Sequence, residues 1–359
     1  MAFAQQDAAV QSKLVSQSLL LDIQNVNDKF LVAVGERGHI IRSTNGQDWQ
    51  QVTVPTKATL TAVFFVNDKL GWAVGHDATI LNSQDGGISW QLQQSLPLLE
   101  RPLLDVIFTD NNHGIAVGAY GLYYQTSDAG ITWQQKFHLS LLTEDDIDYL
   151  MELKAEDTQA YLEERASLLP HFNRIYINQQ AFYLAGELGL LATSNDQGNS
   201  WQRLPEIYQG SFFDIFQTLR GKTLAVGLRG NIFTKLSNDL PWQKIDVDTK
   251  ALLNSIVPVT YEVFFVLGNN GVLLKTNNSG ESFELQEDQM SSSANEFDSN
   301  KENENPFRET PLNEQDFDNV PKGVSIESAS YIEQNKLSEQ ENSLNLNEHN
   351  GEEHTPRLF

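Results

Sequence analysis

The chain has 359 residues, no cysteine and a formal charge of −24. The lack of thiols excludes disulfides, Cys-ligated zinc or iron–sulfur sites and a thiolate nucleophile. So acidic a chain argues against nucleic acid, whose binding needs a basic patch to displace counterions, and against docking on anionic lipid, and no run approaches the ~18 apolar residues of a membrane-spanning helix.

At the start, Ala2-Phe3-Ala4 before Gln5-Gln6-Asp7 has the small-x-small form of a signal cleavage site. Residues 1–18 are therefore expected to be an N-terminal segment carrying the remnant of an export signal. A chance alanine-rich start, with a cytoplasmic protein, is the alternative. From residue 19 to 287 one unit repeats six times: an apolar run, a glycine-bounded turn, a second apolar run, and a small polar turn closed by an aromatic. Leu31-Val32-Ala33-Val34-Gly35 leads to Trp49, Gly71-Trp72-Ala73-Val74-Gly75 to Trp90, and Ile115-Ala116-Val117-Gly118 to Trp133. Tyr183-Leu184-Ala185-Gly186 leads to Trp201, Leu224-Ala225-Val226-Gly227 to Trp242, and Phe265-Val266-Leu267-Gly268 to Phe283. The closing aromatics are spaced by 41, 43, 68, 41 and 41 residues. A period near 40–45 with several short strands per unit is the signature of a β-propeller.

Each unit resolves into four strands. In the second these are 60–65, 71–75, 79–82 and 90–93, bounded by Gly, Asn, Asp and Ser turns. The first two are almost continuously apolar, as expected for inner strands packed on both faces, and the fourth alternates like a half-solvated outer strand. The predicted fold is all-β: a propeller of six four-stranded blades, or seven if the termini contribute one.

The turn before the closing aromatic has the spacing of an Asp-box hairpin. It reads Ser83-x-Asp85-x-Gly87-x-Ser89-Trp90, Thr126-x-Asp128-x-Gly130-x-Thr132-Trp133 and Ser194-x-Asp196-x-Gly198-x-Ser200-Trp201, with Asn278 in the same place before Phe283. Asp or Asn accepts backbone N–H groups inside such a turn, and Gly takes the positive-φ position. A catalytic carboxylate occurs once per site rather than once per blade, so the expected role is structural.

The long spacing between Trp133 and Trp201 marks an insertion at about 140–170. Thr143-Glu144-Asp145-Asp146 opens it like a helix N-terminus, Leu150, Leu153, Tyr161, Leu162, Ala166 and Leu169 form a loose helical stripe, and Pro170 stops it. An interaction element projecting from the scaffold and a decoration packed over one blade both fit this pattern. From 288 to 359 the repeat gives way to Ser, Asn, Gln, Glu and Asp with few large apolar residues, a composition expected to stay disordered. Gly323-Val324-Ser325-Ile326-Glu327, running on to Tyr331, is the one strand-like stretch in it.

Two sets of residues are candidates for binding. The channel-lining strands place Asp22, Ala62, Asp105, Arg174, Asp214 and Ser255 at one register. Asp22, Asp105 and Asp214 around a narrow tunnel would suit a cation or ligand; alternatively each caps amides of the adjacent blade while Arg174 balances charge. The turns between second and third strands carry Glu36, Arg37, His76, Asp77, Tyr120, Glu187, Arg229, Asn269 and Asn270 on the face at the channel mouth. Polar side chains on glycine-bounded turns make a binding surface, with Arg37, His76, Tyr120 and Arg229 its candidate contacts. The seven histidines show no metal-ligand spacing and no triad context. No metal, cofactor or catalytic residue is expected.

Blades that join strands such as Gly71-Trp72-Ala73-Val74-Gly75 to turns such as Asp85-Gly86-Gly87-Ile88-Ser89-Trp90 resemble the photosystem II stability/assembly-factor family of neuraminidase-type-repeat propellers. The resemblance runs from about Leu19 to Glu287. Val34-Gly35-Glu36-Arg37-Gly38-His39-Ile40, Gly75-His76-Asp77-Ala78, His171-Phe172-Asn173-Arg174-Ile175, Gly210-Ser211-Phe212-Phe213 and Gly227-Leu228-Arg229-Gly230 look like its non-photosynthetic bacterial branch. That branch implies an exported, periplasmic accessory protein associated with a resistance–nodulation–division-type transporter. It also implies seven blades, and the acidic tail departs from its pattern.

The expected function is a non-catalytic, monomeric scaffold for protein–protein interaction, an assembly or accessory factor for a membrane protein complex. A sialidase-like glycoside hydrolase and a small-ligand-binding propeller are the alternatives. The hydrolase needs an arginine cluster and a Phe/Tyr-Arg-Ile-Pro strand, to which Asn173-Arg174-Ile175-Tyr176 is the nearest approach.

Overall fold

The structure is a computed structural model, described here for residues 8–178, 181–218, 220–237 and 240–286. The cleavage-site remnant within residues 1–7 and the tail from 288 lie outside the described residues. Six four-stranded sheets, each in simple chain order, form the blades. Their inner strands are Leu20–Val26, Leu60–Phe65, Leu103–Phe108, Phe172–Ile177, Phe212–Gln217 and Leu253–Pro258. Each inner strand packs beside the next from blade 1 to blade 6. The architecture is the predicted all-β propeller with a helical insertion.

Burial follows the sequence pattern. The second strands Gly71–Gly75, Gly114–Gly118, Phe182–Gly186 and Thr223–Gly227 are buried at every residue. Outer strands such as Gln50–Gln51 and Gln134–Gln135 are exposed or half-buried. Aromatics close the seams between sheets: Trp72 of blade 2 stacks on Phe108 of blade 3 at 3.4 Å, and Tyr123 of blade 3 meets Trp201 of blade 4 edge-on. The glycine ending each second strand permits a close approach. A Cβ at Gly35 or Gly75 would lie 2.1 Å from the carbonyl of Leu19 or Thr59, the residue that leads into the inner strand of the same blade.

The insertion is two helices rather than one stripe. The first, α1, spans Glu144–Glu156 with the Thr143 hydroxyl accepting from the Asp146 amide; the second, α2, spans Thr158–Arg165. Asp157 ends the first and caps the second, accepting from the Gln159 and Ala160 amides. Leu150 and Tyr161 are buried in the cluster that holds Leu141, Leu142, Leu169 and Phe172. The insertion is thus anchored to blades 3 and 4, while Tyr149, Met151 and Leu162 stay exposed.

Residues 8–18 pack onto blade 1: Ala9 donates to the Val54 carbonyl, the Ser12 amide to Gln51, and Val15 is buried against Ala33 and Ile41. Among the described residues the ring also has an interruption. The inner-strand packing that links successive blades does not recur between blade 6 and blade 1 among the described residues, and no hydrophobic cluster joins those two blades.

Candidate functional site

A bulge near the start of every inner strand re-aims the next side chain. That side chain is Asp22, Asp105, Arg174 or Asp214 in blades 1, 3, 4 and 5. One Asp22 oxygen accepts from Ile23 of its own strand and the other from Val63 of blade 2, at 2.7 and 2.6 Å. Asp105 clasps Val106 and Ile175 of blade 4 in the same way, and Asp214 clasps Ile215 and Ile256 of blade 6. Arg174 lies between Asp105 and Asp214, at 3.6 and 3.3 Å. The carboxylates therefore staple neighbouring blades, and two of them share one guanidinium. Among the described residues no group of three or more His, Cys, Asp or Glu could hold a metal ion.

The mouth-face turns are built alike. After five of the six second strands comes a short 3-10 turn whose middle residue takes left-handed backbone: Arg37 at φ 57, Asp77 at 60, Tyr120 at 52, Arg229 at 60 and Asn270 at 61; in blade 4 a plain turn places Leu188 at φ 53 in the same position. Left-handed backbone is unfavourable for a residue with a Cβ, so the flanking packing must hold it in place. Turn and connector interlock: Ala78 donates to the Arg101 carbonyl, Gly121 to Pro170, Gly189 to Gly210 and Gly230 to Ala251, each acceptor leading into the next blade. Arg37, His76, Tyr120 and Arg229 are thus exposed on rigid turns of one face, with His76 one position ahead of the others' register. Asp22, Asp105, Asp214 and Arg174 lie inside the ring, largely buried, and do not join this surface.

Around Tyr120 the turns form a cluster that sequence reasoning missed. Its ring meets His171 edge-on at 4.6 Å, Arg101 lies over it at 5.0 Å, and His171 reaches Glu187 at 3.5 Å. Arg101 also donates to the Ala166 carbonyl of the insertion. A groove lined by Leu142, Leu168, Pro170, Leu188, Arg203 and Glu206 separates the insertion from the blade 4 turn. The partners of Tyr120 lie about 20 and 50 residues away, so no local spacing could have signalled them.

On the opposite end, the aspartate turns are saturated internally. Asp85 accepts from the Ser89 amide and hydroxyl at 2.9 and 2.6 Å, Asp128 from those of Thr132, and Asp196 from those of Ser200. Asn278 accepts from the Ser282 amide and donates to its hydroxyl. The Ser200 hydroxyl and amide, with Ser194, hold the Asp196 carboxyl down at about 2. Partial burial pushes Asp85 and Asp128 up, but the same hydrogen bonds outweigh it and both sit below the usual carboxylate range.

Two overlapping segments, residues 41–102 and 93–209, match the family described as photosynthesis system II assembly factor YCF48. The photosystem II assembly protein Ycf48 of Synechococcus sp. strain JA-3-3Ab is 50% identical over 48 residues, 13% of this chain and 14% of that protein. Its counterpart in strain JA-2-3B'a(2-13) is 48% identical over 54 residues, 14% of this chain and 16% of that protein. The matched stretches therefore span about one seventh of these curated relatives. Among solved structures, YCF48 bound to D1 peptide superposes with a TM-score of 0.56 at 17% identity, over 80% of this chain and 87% of that one. YCF48 from Cyanidioschyzon merolae gives 0.56 at 16%, over 79% and 88%. An ancestral GH74 enzyme gives 0.53 at 13%, over 75% of this chain and 37% of that one. At such identities the likeness is one of fold, and a propeller fold serves binding and catalysis alike.

Proposed function

We propose that this Ycf48-like propeller is a non-catalytic scaffold whose mouth face and helical insertion grip a membrane protein complex during its assembly or operation. The carrying observation is the set of exposed side chains, Arg37, His76, Tyr120 and Arg229, on turns of one face whose closing residues Gly38, Ala78, Gly121 and Gly230 are buried, the last three bonded to the next connector. The insertion, tied to the Tyr120 turn through Arg101, adds Glu144, Asp145, Asp146, Glu163 and Glu164, and such mixed charge fixes register and partner choice in a protein contact. Relatives named photosystem II assembly proteins, together with a separate YCF48 structure bound to D1 peptide, support a membrane protein as partner. A resistance–nodulation–division-type transporter is the candidate drawn from the turn sequences, and an exported, periplasmic location belongs to the same reading.

The test is capture of partner from native membranes by the tagged full-length chain. Replacing residues 143–168 by a Gly/Ser bridge should keep the β fold and weaken capture. Arg37→Glu with Arg229→Glu should weaken it further, more so at low salt where electrostatic steering is strongest. Undiminished capture by both variants moves the functional surface away from this face. Fractionation of native cells tests the location.

A further inference from the structure

Among the described residues, the interruption between blades 6 and 1 leaves one sheet face without a neighbouring sheet. In blade 5 the residues facing the next blade, Leu224, Val226 and Ile232, are fully buried. Their counterparts in blade 6, Phe265, Leu267 and Leu273, are only half-buried, whereas the alternating Phe264, Val266 and Leu274 are buried against blade 5. The mouth turns agree. A Cβ at Gly38, Gly189 or Gly230 would strike the next connector's carbonyl at 2.1–2.2 Å, while at Gly271 it would meet nothing within 4 Å. On the far side of the interruption, blade 1 has its own cover, since Val15 lies over Ala33 and Ile41. The apolar surface left over belongs to blade 6.

We propose that this face is the docking site for a strand supplied by the same chain, Gly323 to Ile332. The chain leaves the described fold at the outer edge of this same sheet, where the Gln286 amide donates to the carbonyl of Leu273 at 2.8 Å. Residues 287–322 separate this point from the segment, and the root-mean-square span of a Gly/Ser-like linker of that length, ~30 Å, is ample for the return. In the remainder, Val324-Ser325-Ile326-Glu327 has the apolar/polar alternation of a half-buried strand. Val324 and Ile326 would cover Leu267 and Leu273, leaving Ser325 and Glu327 toward water. Lys275 lies over the Phe265 ring on this face, and the chain that follows the apolar pair is acidic at Glu327 and Glu333. Tethering gives the segment an effective concentration near millimolar, which outcompetes a second copy of the chain at ordinary dilution.

Because the chain has no cysteine, an introduced pair reports unambiguously. Leu273→Cys with Ile326→Cys in the full-length chain should be joined within one molecule by a short bis-maleimide. Leu188→Cys with Ile326→Cys, on the distant blade 4 turn, should not. Equal yields from the two pairs, or no product from the first, overturn the proposal. A product that runs as a dimer overturns it in favour of a second copy. Independently, Val324→Ser with Ile326→Ser in the full chain should speed amide exchange across 264–276 roughly tenfold while leaving blades 2–4 unchanged. Unchanged exchange in blade 6 overturns the proposal as well.

Discussion

Arg174 of blade 4 holds its Nε 3.3 Å from a carboxylate oxygen of Asp214 in blade 5, and its other end reaches back to Asp105 in blade 3. Both aspartates already clasp the amides of a following blade, so one guanidinium ties three consecutive inner strands together. The tie lies inside the ring, with the Arg174 side chain 13% exposed, where charges are weakly screened.

Arg174→Met should therefore destabilise strongly. Removing one partner from a buried charge cluster costs about 3–5 kcal/mol, and for a domain of this size that lowers the melting temperature by roughly 6–20 °C. Arg174→Lys should recover only part of the loss, because a single ammonium cannot reproduce the forked guanidinium between two carboxylates. A melting point unchanged in Arg174→Met would show that the clasps to the amides suffice.

The aspartate turns make a separate acid-sensitive element. With its folded carboxyl at about 2 against the usual 3.8, Asp196 adds stability that is complete above 3.8 and lost as pH falls through 2. Asp196→Ala should cost about 1–3 kcal/mol near neutrality through the lost charged hydrogen bonds. It should also reduce the steepness of acid unfolding between pH 4 and 2. Thermal melts over that range check both.

Those turns were legible in the sequence because every bond lies within four residues of the aspartate, so spacing alone carries the geometry. The blades were legible for a similar reason, since strand length, glycine placement and aromatic spacing are local and repeat. What stayed hidden is non-local. The inner-strand bulge turns Asp22, Asp105 and Asp214 onto neighbouring amides, so of the two readings of that ring the clasp is the one the geometry displays. The Tyr120–His171–Arg101 cluster and the interruption beside blade 6 depend on blade-to-blade placement. A period counts units without saying whether the last meets the first.

His138 offers a pH response of opposite kind at the root of the insertion. It is buried edge-on to Tyr123 at 4.4 Å, and burial lowers its pKa to about 4 from 6.5. The unfolded chain takes up this proton near 6.5 and the folded one only near 4. His138 stability is therefore complete above 6.5 and declines as pH falls toward 4. His138→Phe should flatten the stability profile in that window, measured as denaturant midpoint against pH. A profile that keeps its slope would place the response elsewhere.

The helical insertion should prove to be a semi-independent layer. Leu150, fully buried, and Tyr161 anchor it among Leu141, Leu142 and Leu169, while its outer side carries the acidic residues. Leu150→Ala removes about 2–5 kcal/mol of packing. The loss should fall on the insertion before the blades, because the buried side chains of the two helices pack along this seam and a locally opened segment need not carry the β core with it. Limited proteolysis should then cut between 143 and 168 well before any cleavage in blades 1, 2, 5 and 6, with the β spectrum retained. If blades and insertion are lost together, the insertion is part of the core, and its deletion in the capture experiment needs Leu150 and Tyr161 to be left in place.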